Sequence, residues 1–176
     1  MIGAVLFDRD GVLVRSRVVN GRPVPASDPV AALDPQAPRL VARLRSLGWA
    51  VAVVTNQPDV ARGLTTAEYV TECHRTLARK LALDPAAFFV CFHDNADRCS
   101  CRKPLPALLT EAASWCDVPI TNTVMIGDRW RDIAAAQAAG ADSVWIDRGY
   151  DEPVPEPPFR CRVSSLSEAV GAVLAG

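Results

Sequence analysis

"AVLFDRDG", from Ala4 to Gly11, is a short apolar run that ends in two acidic residues. A run of this kind, bounded by a turn residue, is typical of a strand buried on both faces of a parallel sheet. Asp8 would then lie at the carboxyl end of the strand. Ligands of open α/β sheets bind beyond the carboxyl ends of the strands, so this stretch predicts both the fold class and the place of a site.

The rest of the chain alternates strand-like apolar runs with segments of helical periodicity. The predicted strands are "AVLFD", "WAVAVVTN", "FFVCF", "TVMIGD" and "SVWID", with a short edge strand in "CRVSS". Helices are predicted at 39–48, after a possible capping box of Thr65 and Glu68, at 106–116, at 132–140 and after Ser165. This alternation implies right-handed crossovers, so we expect one Rossmann-like α/β domain over residues 1–176, with helices on both faces of a parallel sheet.

Composition limits the class of protein. The chain of 176 residues has 49% hydrophobic and 22% charged residues and a net charge of −1, which argues against a nucleic-acid partner. No apolar run approaches the roughly 18 residues of a membrane span, and the apolar start is too short for a signal-peptide core. We therefore expect a cytoplasmic protein without a membrane partner.

"CFHDNADRCSC", from Cys91 to Cys101, places half of the six cysteines beside a histidine. In a reducing compartment, clustered cysteines more often bind a metal than form disulfides. A disulfide or redox pair of Cys99 and Cys101 is the alternative. The other three cysteines have no such arrangement, and we interpret them as core thiols.

Polar residues follow the other predicted strands. Asp8 and Asp10 would repel each other unless they share a proton or a cation such as Mg²⁺, although an isolated D-x-D-G is as readily a solvated turn. Thr55 and Asn56 follow the second strand, where a hydroxyl and backbone N–H groups can hold a phosphate oxygen. Asp128 follows the fourth strand and could be a third carboxylate of a metal site.

Two further features have a structural and a functional interpretation. Arg102 and Lys103 precede Pro104, a residue suited to the first turn of a helix, so they could form an anion site or a solvated basic turn. Asp132, four residues after Asp128, could orient ligands or could lie near a helix N-terminus, where acidic side chains are favoured.

In this order, D-x-D-G, T-N-Q, R-K-P and G-D-x-x-x-D resemble the haloacid dehalogenase-type phosphatase superfamily. The resemblance extends from Asp8 to about Gly149. Within the superfamily, "TNQPDVARGL" and "CFHDNADRCSCRKP" are similar to the branch of D-glycero-D-manno-heptose-1,7-bisphosphate 7-phosphatases and histidinol-phosphate phosphatases. Val12 and Val14 depart from the threonine and asparagine common after D-x-D-G, which puts the substrate in doubt more than the reaction.

The resemblance implies phosphoryl transfer through an aspartyl-phosphate. Asp8 would be the nucleophile and Asp10 the general acid and base. Mg²⁺ would be held by Asp8, Asp128 and the backbone carbonyl of Asp10, and Thr55, Asn56 and Lys103 would neutralise the phosphoryl oxygens.

The same resemblance implies a structural zinc. That branch carries a C-x-H…C-x-C loop before R-K-P, and a set of three cysteines and one histidine suits tetrahedral Zn²⁺. The ligands in this chain would be Cys91, His93, Cys99 and Cys101.

The spacing between motifs bears on the substrate. The chain between Asp10 and Thr55 has no room for a large cap domain, so Val14–Asp28 is expected to form a loop or a small hairpin over an open site, with Arg62 and Arg102 as substrate-binding candidates. "ARGL" resembles the heptose bisphosphate enzymes, and we favour that substrate. The five residues between His93 and Cys99 instead resemble the histidinol-phosphate enzymes.

A competing class is a phospho-acceptor signalling or binding module on the same fold. Such a receiver domain places its acceptor aspartate on a middle strand rather than in a D-x-D-G motif on the first.

Overall fold

Six parallel strands form the central sheet of the protein, whose computed structural model describes residues 1–176. In sheet order they are β5 (Phe88–Cys91), β4 (Trp49–Asn56), β1 (Gly3–Phe7), β6 (Thr123–Gly127), β7 (Asp142–Ile146) and β8 (Cys161–Val163). The first strand therefore lies in the middle of the sheet, between β4 and β6. This arrangement brings the residues after β1, β4 and β6 to one edge.

Helices cover both faces of the sheet, as the alternation of segments predicts. One face packs against α1 (Ala37–Ser46), α2 (Ala67–Leu81) and α5 (Leu166–Ala175), and the other against α3 (Ala107–Trp115) and α4 (Trp130–Ala139). Val5 and Phe7 contribute to the first core, and Ala4 and Leu6 to the second. None of these helices combines the length and apolarity that crossing a membrane requires.

A small hairpin occupies the place where a cap domain could be inserted. Its strands, β2 (Arg17–Val19) and β3 (Arg22–Val24), pair antiparallel. The Asp151 N–H donates to the Gly21 carbonyl over 2.7 Å, and the Tyr69 hydroxyl donates to the Ser27 carbonyl over 3.2 Å. The hairpin is thus fixed at its turn and at its base, and it leaves the site beneath it open.

Two helix starts bear on the caps and cations expected from the sequence. Helix α2 begins after Thr66, not Thr65, because the Thr66 side chain accepts a hydrogen bond from the Tyr69 N–H. Helix α3 begins at Ala107, so Arg102 and Lys103 lie outside its first turn. A helix N-terminus therefore does not support an anion site at these two cations.

Candidate active site

Lys103 lies at the centre of the site and is 2% exposed. Its ammonium contacts Asp8 Oδ1 at 2.9 Å, Asp132 Oδ1 at 2.6 Å and the Val54 carbonyl at 2.8 Å. Burial alone would lower the pKa of Lys103, but Asp132 and Asp8 raise it above its ordinary value. The three donors of the ammonium are matched to three acceptors, so it is a charged anchor for the surrounding carboxylates.

Asn56 fixes the backbone of the same lysine. Its side-chain amide donates to the Lys103 carbonyl over 3.0 Å, and its amide oxygen accepts from the Lys103 N–H over 3.1 Å. Asn56 lines the cavity, but both polar ends of its side chain are used by the loop that carries Lys103.

Three buried carboxylates surround the ammonium, and we call Asp8, Asp128 and Asp132 the carboxylate cluster. One oxygen from each lies within 4.8 Å of the others. Burial, more than the neighbouring acids, raises the pKa of Asp8 to about 7 against the opposing charge of Lys103. Burial, followed by Asp8, also raises the pKa of Asp128 well above its usual range. One ammonium does not neutralise three acids, so the cluster lacks positive charge.

The cluster fits a hard divalent cation. Asp128 Oδ1 is a buried oxygen without a hydrogen-bond partner, which makes it available as a ligand. Oxygen donors of this kind are those that Mg²⁺ prefers. Asp132 is used differently, because its second oxygen accepts from the Arg129 N–H at the start of α4 over 3.1 Å. Asp132 therefore orients Lys103 and also caps the N-terminus of α4. The sequence offers a role in orienting site groups and a role at a helix N-terminus as alternatives, and Asp132 has both positions.

Gly127 makes the approach of Asp132 possible. A Cβ atom on Gly127 would lie 2.2 Å from the Asp132 Cβ and 2.7 Å from its Oδ2. Any larger residue would displace the carboxylate from Lys103. The glycine and the two acids of G-D-x-x-x-D are therefore needed together.

Asp10 is not a member of the carboxylate cluster, and two other side chains hold it. Its carboxylate accepts from Arg9 Nη2 over 2.8 Å and from Gln57 Nε2 over 2.7 Å. Gln57 also donates to Thr55 Oγ1 over 2.9 Å and accepts from Arg9 Nη2 over 2.8 Å. Arg9, Gln57 and Thr55 therefore form a fixed frame around the predicted acid and base.

The frame extends to a histidine that sequence reasoning missed. His74 Nε2 lies 3.0 Å from Arg9 Nη1. Burial, followed by the charge of Arg9, lowers the pKa of His74 to about 3. The ring is therefore neutral near pH 7 and accepts a hydrogen bond from the guanidinium. The position of Arg9 between two aspartates was a usable signal for a buried ion pair, but nothing near His74 in the sequence indicates its partner 65 positions away.

The cavity over these residues is lined by polar side chains and three prolines. Four arginines reach it, and two of them are paired with acids. Arg62 contacts Asp94 at 2.8 Å and Asp59 at 3.3 Å, while Arg129 pairs with Glu152. The predicted substrate contact Arg62 is thus in the cavity wall but already carries two carboxylate partners.

The other two arginines have no carboxylate partner. Arg102 donates to the Asn95 side chain over 2.9 Å and to the His93 carbonyl over 3.1 Å. Arg131 lies 4.7 Å from the centre of the Trp130 ring. Burial and the charges of Arg129 and Arg102 lower the pKa of Arg131. Two uncompensated cations therefore face the cavity, and sequence reasoning identified only Arg102.

The Cys/His loop, residues 91–101, leads directly to Arg102 and Lys103 and pairs with the cavity residue Arg62 through Asp94. Cys91 Sγ lies 3.6 Å from His93 Nδ1 and 3.7 Å from Cys99 Sγ, and Cys101 Sγ lies 3.5 Å from His93 Nδ1. These separations match the edges of a tetrahedron around zinc, which are about 3.5–3.8 Å for ordinary Zn–S and Zn–N bond lengths. All six cysteines are free thiols.

Comparison with known proteins agrees with this fold. Residues 100–166 match the HAD-hydrolase-like family model. A crystal structure of D,D-heptose 1,7-bisphosphate phosphatase from B. bronchiseptica, complexed with magnesium and phosphate, superimposes with a TM-score of 0.73 at 25% identity. The alignment covers 98% of each chain.

Sequence relatives are of the same type. The chain is 35% identical to D-glycero-beta-D-manno-heptose-1,7-bisphosphate 7-phosphatase of Bordetella bronchiseptica over 81% of its own length and 78% of that protein. It is 36% identical to D-glycero-alpha-D-manno-heptose-1,7-bisphosphate 7-phosphatase of Mycobacterium tuberculosis, over 78% and 75% of the two chains. The chain therefore belongs to the haloacid dehalogenase-like phosphatases, in the branch that contains these heptose bisphosphate enzymes.

Proposed function

We propose that residues 1–176 form one magnesium-dependent phosphatase domain that hydrolyses D-glycero-D-manno-heptose 1,7-bisphosphate. The observation that carries the activity is the buried carboxylate cluster around Lys103, with Asp128 Oδ1 left without a partner. Asp8, Asp128 and the backbone carbonyl of Asp10 would hold Mg²⁺, which neutralises charge on the transferring phosphoryl group.

The chain's own groups account for both chemical steps. Lys103 binds Asp8 Oδ1, which leaves the second carboxylate oxygen of Asp8 to attack phosphorus. As the bond to the leaving oxygen breaks, Asp10 donates a proton to that oxygen. Asp10 then takes a proton from the water that hydrolyses the aspartyl-phosphate and releases inorganic phosphate. Thr55 is buried, and its hydroxyl accepts a hydrogen bond from Gln57.

The two unpaired arginines support a bisphosphate as substrate. While one phosphoryl group is transferred to Asp8, Arg102 and Arg131 would bind a second phosphate by charge-assisted hydrogen bonds. Histidinol phosphate, the alternative, carries an ammonium group that these two cations would repel. The relatives named for both anomers of the heptose bisphosphate favour the same choice.

A structural zinc is the second part of the proposal. Cys91, His93, Cys99 and Cys101 would fill the four positions of a tetrahedral ion, so no position is left for a reactive water. The loop runs directly into Arg102 and Lys103. A bound zinc would therefore fix the backbone from which both cations project.

The test measures phosphate release by the purified protein with Mg²⁺ and each of three substrates. These are the α and β anomers of the heptose bisphosphate and histidinol phosphate. We expect kcat/KM for one anomer to exceed that for histidinol phosphate by at least about 100-fold, since a charged group left unpaired in the cavity costs several kcal/mol. Equal or faster hydrolysis of histidinol phosphate would overturn the substrate assignment. The Arg131→Met variant should lose most of the preference while keeping hydrolysis of a simple aryl phosphate.

A further inference from the structure

The two oxygens of Asp128 have different surroundings. Oδ2 accepts a hydrogen bond from the Tyr150 hydroxyl over 2.7 Å, whereas Oδ1 is buried without a partner. The backbone carbonyl of Asp128 accepts from the Trp145 indole N–H over 3.2 Å. The residue is thus held at its backbone and at one carboxylate oxygen, and the other oxygen is left free.

The turn of the D-x-D-G motif is shaped around this pair. Gly11 has a φ of +83°, and a Cβ atom there would lie 1.7 Å from Asp128 Oδ2 and 2.9 Å from the Tyr150 hydroxyl oxygen. A side chain at position 11 would therefore separate the tyrosine from the carboxylate. The absence of a side chain at Gly11 serves the turn and also the contact between Asp128 and Tyr150.

Tyr150 is carried by a segment that is anchored on both sides. Before it, Arg148 Nε donates to the Gly11 carbonyl over 3.0 Å. After it, the Asp151 N–H donates to the Gly21 carbonyl over 2.7 Å, and Glu152 pairs with Arg129. The hydroxyl is therefore placed by contacts with the D-x-D-G turn, the hairpin and the start of α4.

We propose that Tyr150 is a positioning residue for the magnesium site, which holds Asp128 Oδ2 so that only Oδ1 is offered to the cation. This inference rests on the proposed function, because it assigns a role toward the ion that the phosphatase would bind. Use of both oxygens by a cation would require the half-buried Tyr150–Asp128 hydrogen bond to break. Outer hydrogen bonds to metal ligands commonly set metal affinity in this way.

The alternative is that Tyr150 only stabilises a buried carboxylate. Removal of the hydroxyl would then lower the unfolding temperature of the metal-free protein without changing its affinity for Mg²⁺. The two roles therefore differ in a binding measurement that needs neither substrate nor turnover.

The decisive experiment titrates Mg²⁺ into the substrate-free Tyr150→Phe variant by calorimetry, with tryptophan fluorescence as a second signal because Trp145 contacts Asp128. We expect the dissociation constant to rise by about 10-fold or more, the range found for outer-shell partners. Hydrolysis by the variant should approach the wild-type rate at saturating Mg²⁺. Tyr69→Phe is the matched control, since Tyr69 is the chain's only other tyrosine and its hydroxyl donates to the Ser27 carbonyl instead.

The outcomes separate this inference from the proposed function. Unchanged Mg²⁺ affinity in Tyr150→Phe, with a wild-type protein that binds Mg²⁺ and hydrolyses phosphate esters, would overturn the role of Tyr150 alone. A wild-type protein that neither binds Mg²⁺ nor releases phosphate would overturn both. An unfolding temperature measured without Mg²⁺ verifies that the variant is folded.

Discussion

The two proposed metal sites of this protein are built in opposite ways. The carboxylate cluster collects Asp8, Asp128 and Asp132 from the ends of two strands and the start of a helix, and it adds Lys103 from a fourth segment. The Cys/His loop takes all four of its side chains from residues 91–101. The first site exists only when the sheet has formed, whereas the second is specified by local spacing.

Because of this difference, substitutions should affect the two sites in different ways. In the carboxylate cluster, three buried acids depend on the single ammonium of Lys103, so the removal of one charge changes the rest. The Cys/His loop is more exposed and would be held by the ion itself. Substitutions in the cluster should therefore abolish the chemistry, whereas substitutions in the loop should misplace cations that remain chemically intact.

The largest effect is expected for Asp8→Asn. Asparagine preserves the shape of the side chain but removes the nucleophile, so kcat should fall by at least about 10³-fold. Phosphate release under saturating substrate measures the loss. Asp117→Asn is the control, because Asp117 is exposed and its φ of +53° is one that asparagine tolerates. Turnover of Asp8→Asn within tenfold of wild type would exclude the aspartyl-phosphate route.

Lys103→Arg should be the next most damaging substitution. A planar guanidinium cannot direct donors to Asp8, Asp132 and the Val54 carbonyl from one buried point, so kcat should fall by about 100-fold despite the conserved charge. Lys80→Arg is the matched control, since Lys80 is the other lysine of the chain and is exposed on α2. A fully active Lys103→Arg variant would mean that the tripod of contacts is dispensable.

Sequence reasoning reached the parts of each site that local patterns encode. The apolar run before Asp8 predicts β1, and the short segment before Thr55 predicts a loop or a small hairpin in place of a cap. The capping position of α2 was missed by one residue because adjacent threonines are both competent caps. The pairing of Arg9 with His74 could not be predicted, because it depends on how α2 packs over the end of β1.

Cys101→Ser tests the Cys/His loop, the site whose ligands are specified by local spacing. Loss of one of four ligands should release zinc, of which we expect about one per wild-type chain by elemental analysis. Displacement of Arg102 and Lys103 should then raise KM and lower kcat together, by roughly 10- to 100-fold in kcat/KM, while the requirement for Mg²⁺ persists. Cys161→Ser, in β8, should retain both zinc and activity. Zinc-free wild-type protein, prepared without chelator under reducing conditions, would contradict the metal assignment.

The smallest effect is expected at His74, where it concerns stability rather than activity. The ring supports Arg9, which holds Asp10, and does not contact the carboxylate cluster. Its pKa is lowered from the ordinary value of about 6.5 to about 3, so only the unfolded state takes up a proton as the pH falls below about 6.5. The stability of the folded state should therefore decrease as the pH falls from 6.5 towards 3, and the cost at pH 5 is roughly 2 kcal/mol.

His74→Gln keeps an acceptor for Arg9 but does not titrate. Chemical denaturation at pH 7.5 and pH 5 should show the variant gaining about 2 kcal/mol relative to wild type at the lower pH. Asp8, whose raised pKa acts in the opposite direction, is present in both proteins and cancels in the difference. An identical pH dependence of the two proteins would mean that His74 accepts a proton in the folded state, and that the guanidinium of Arg9 is not held by a neutral ring.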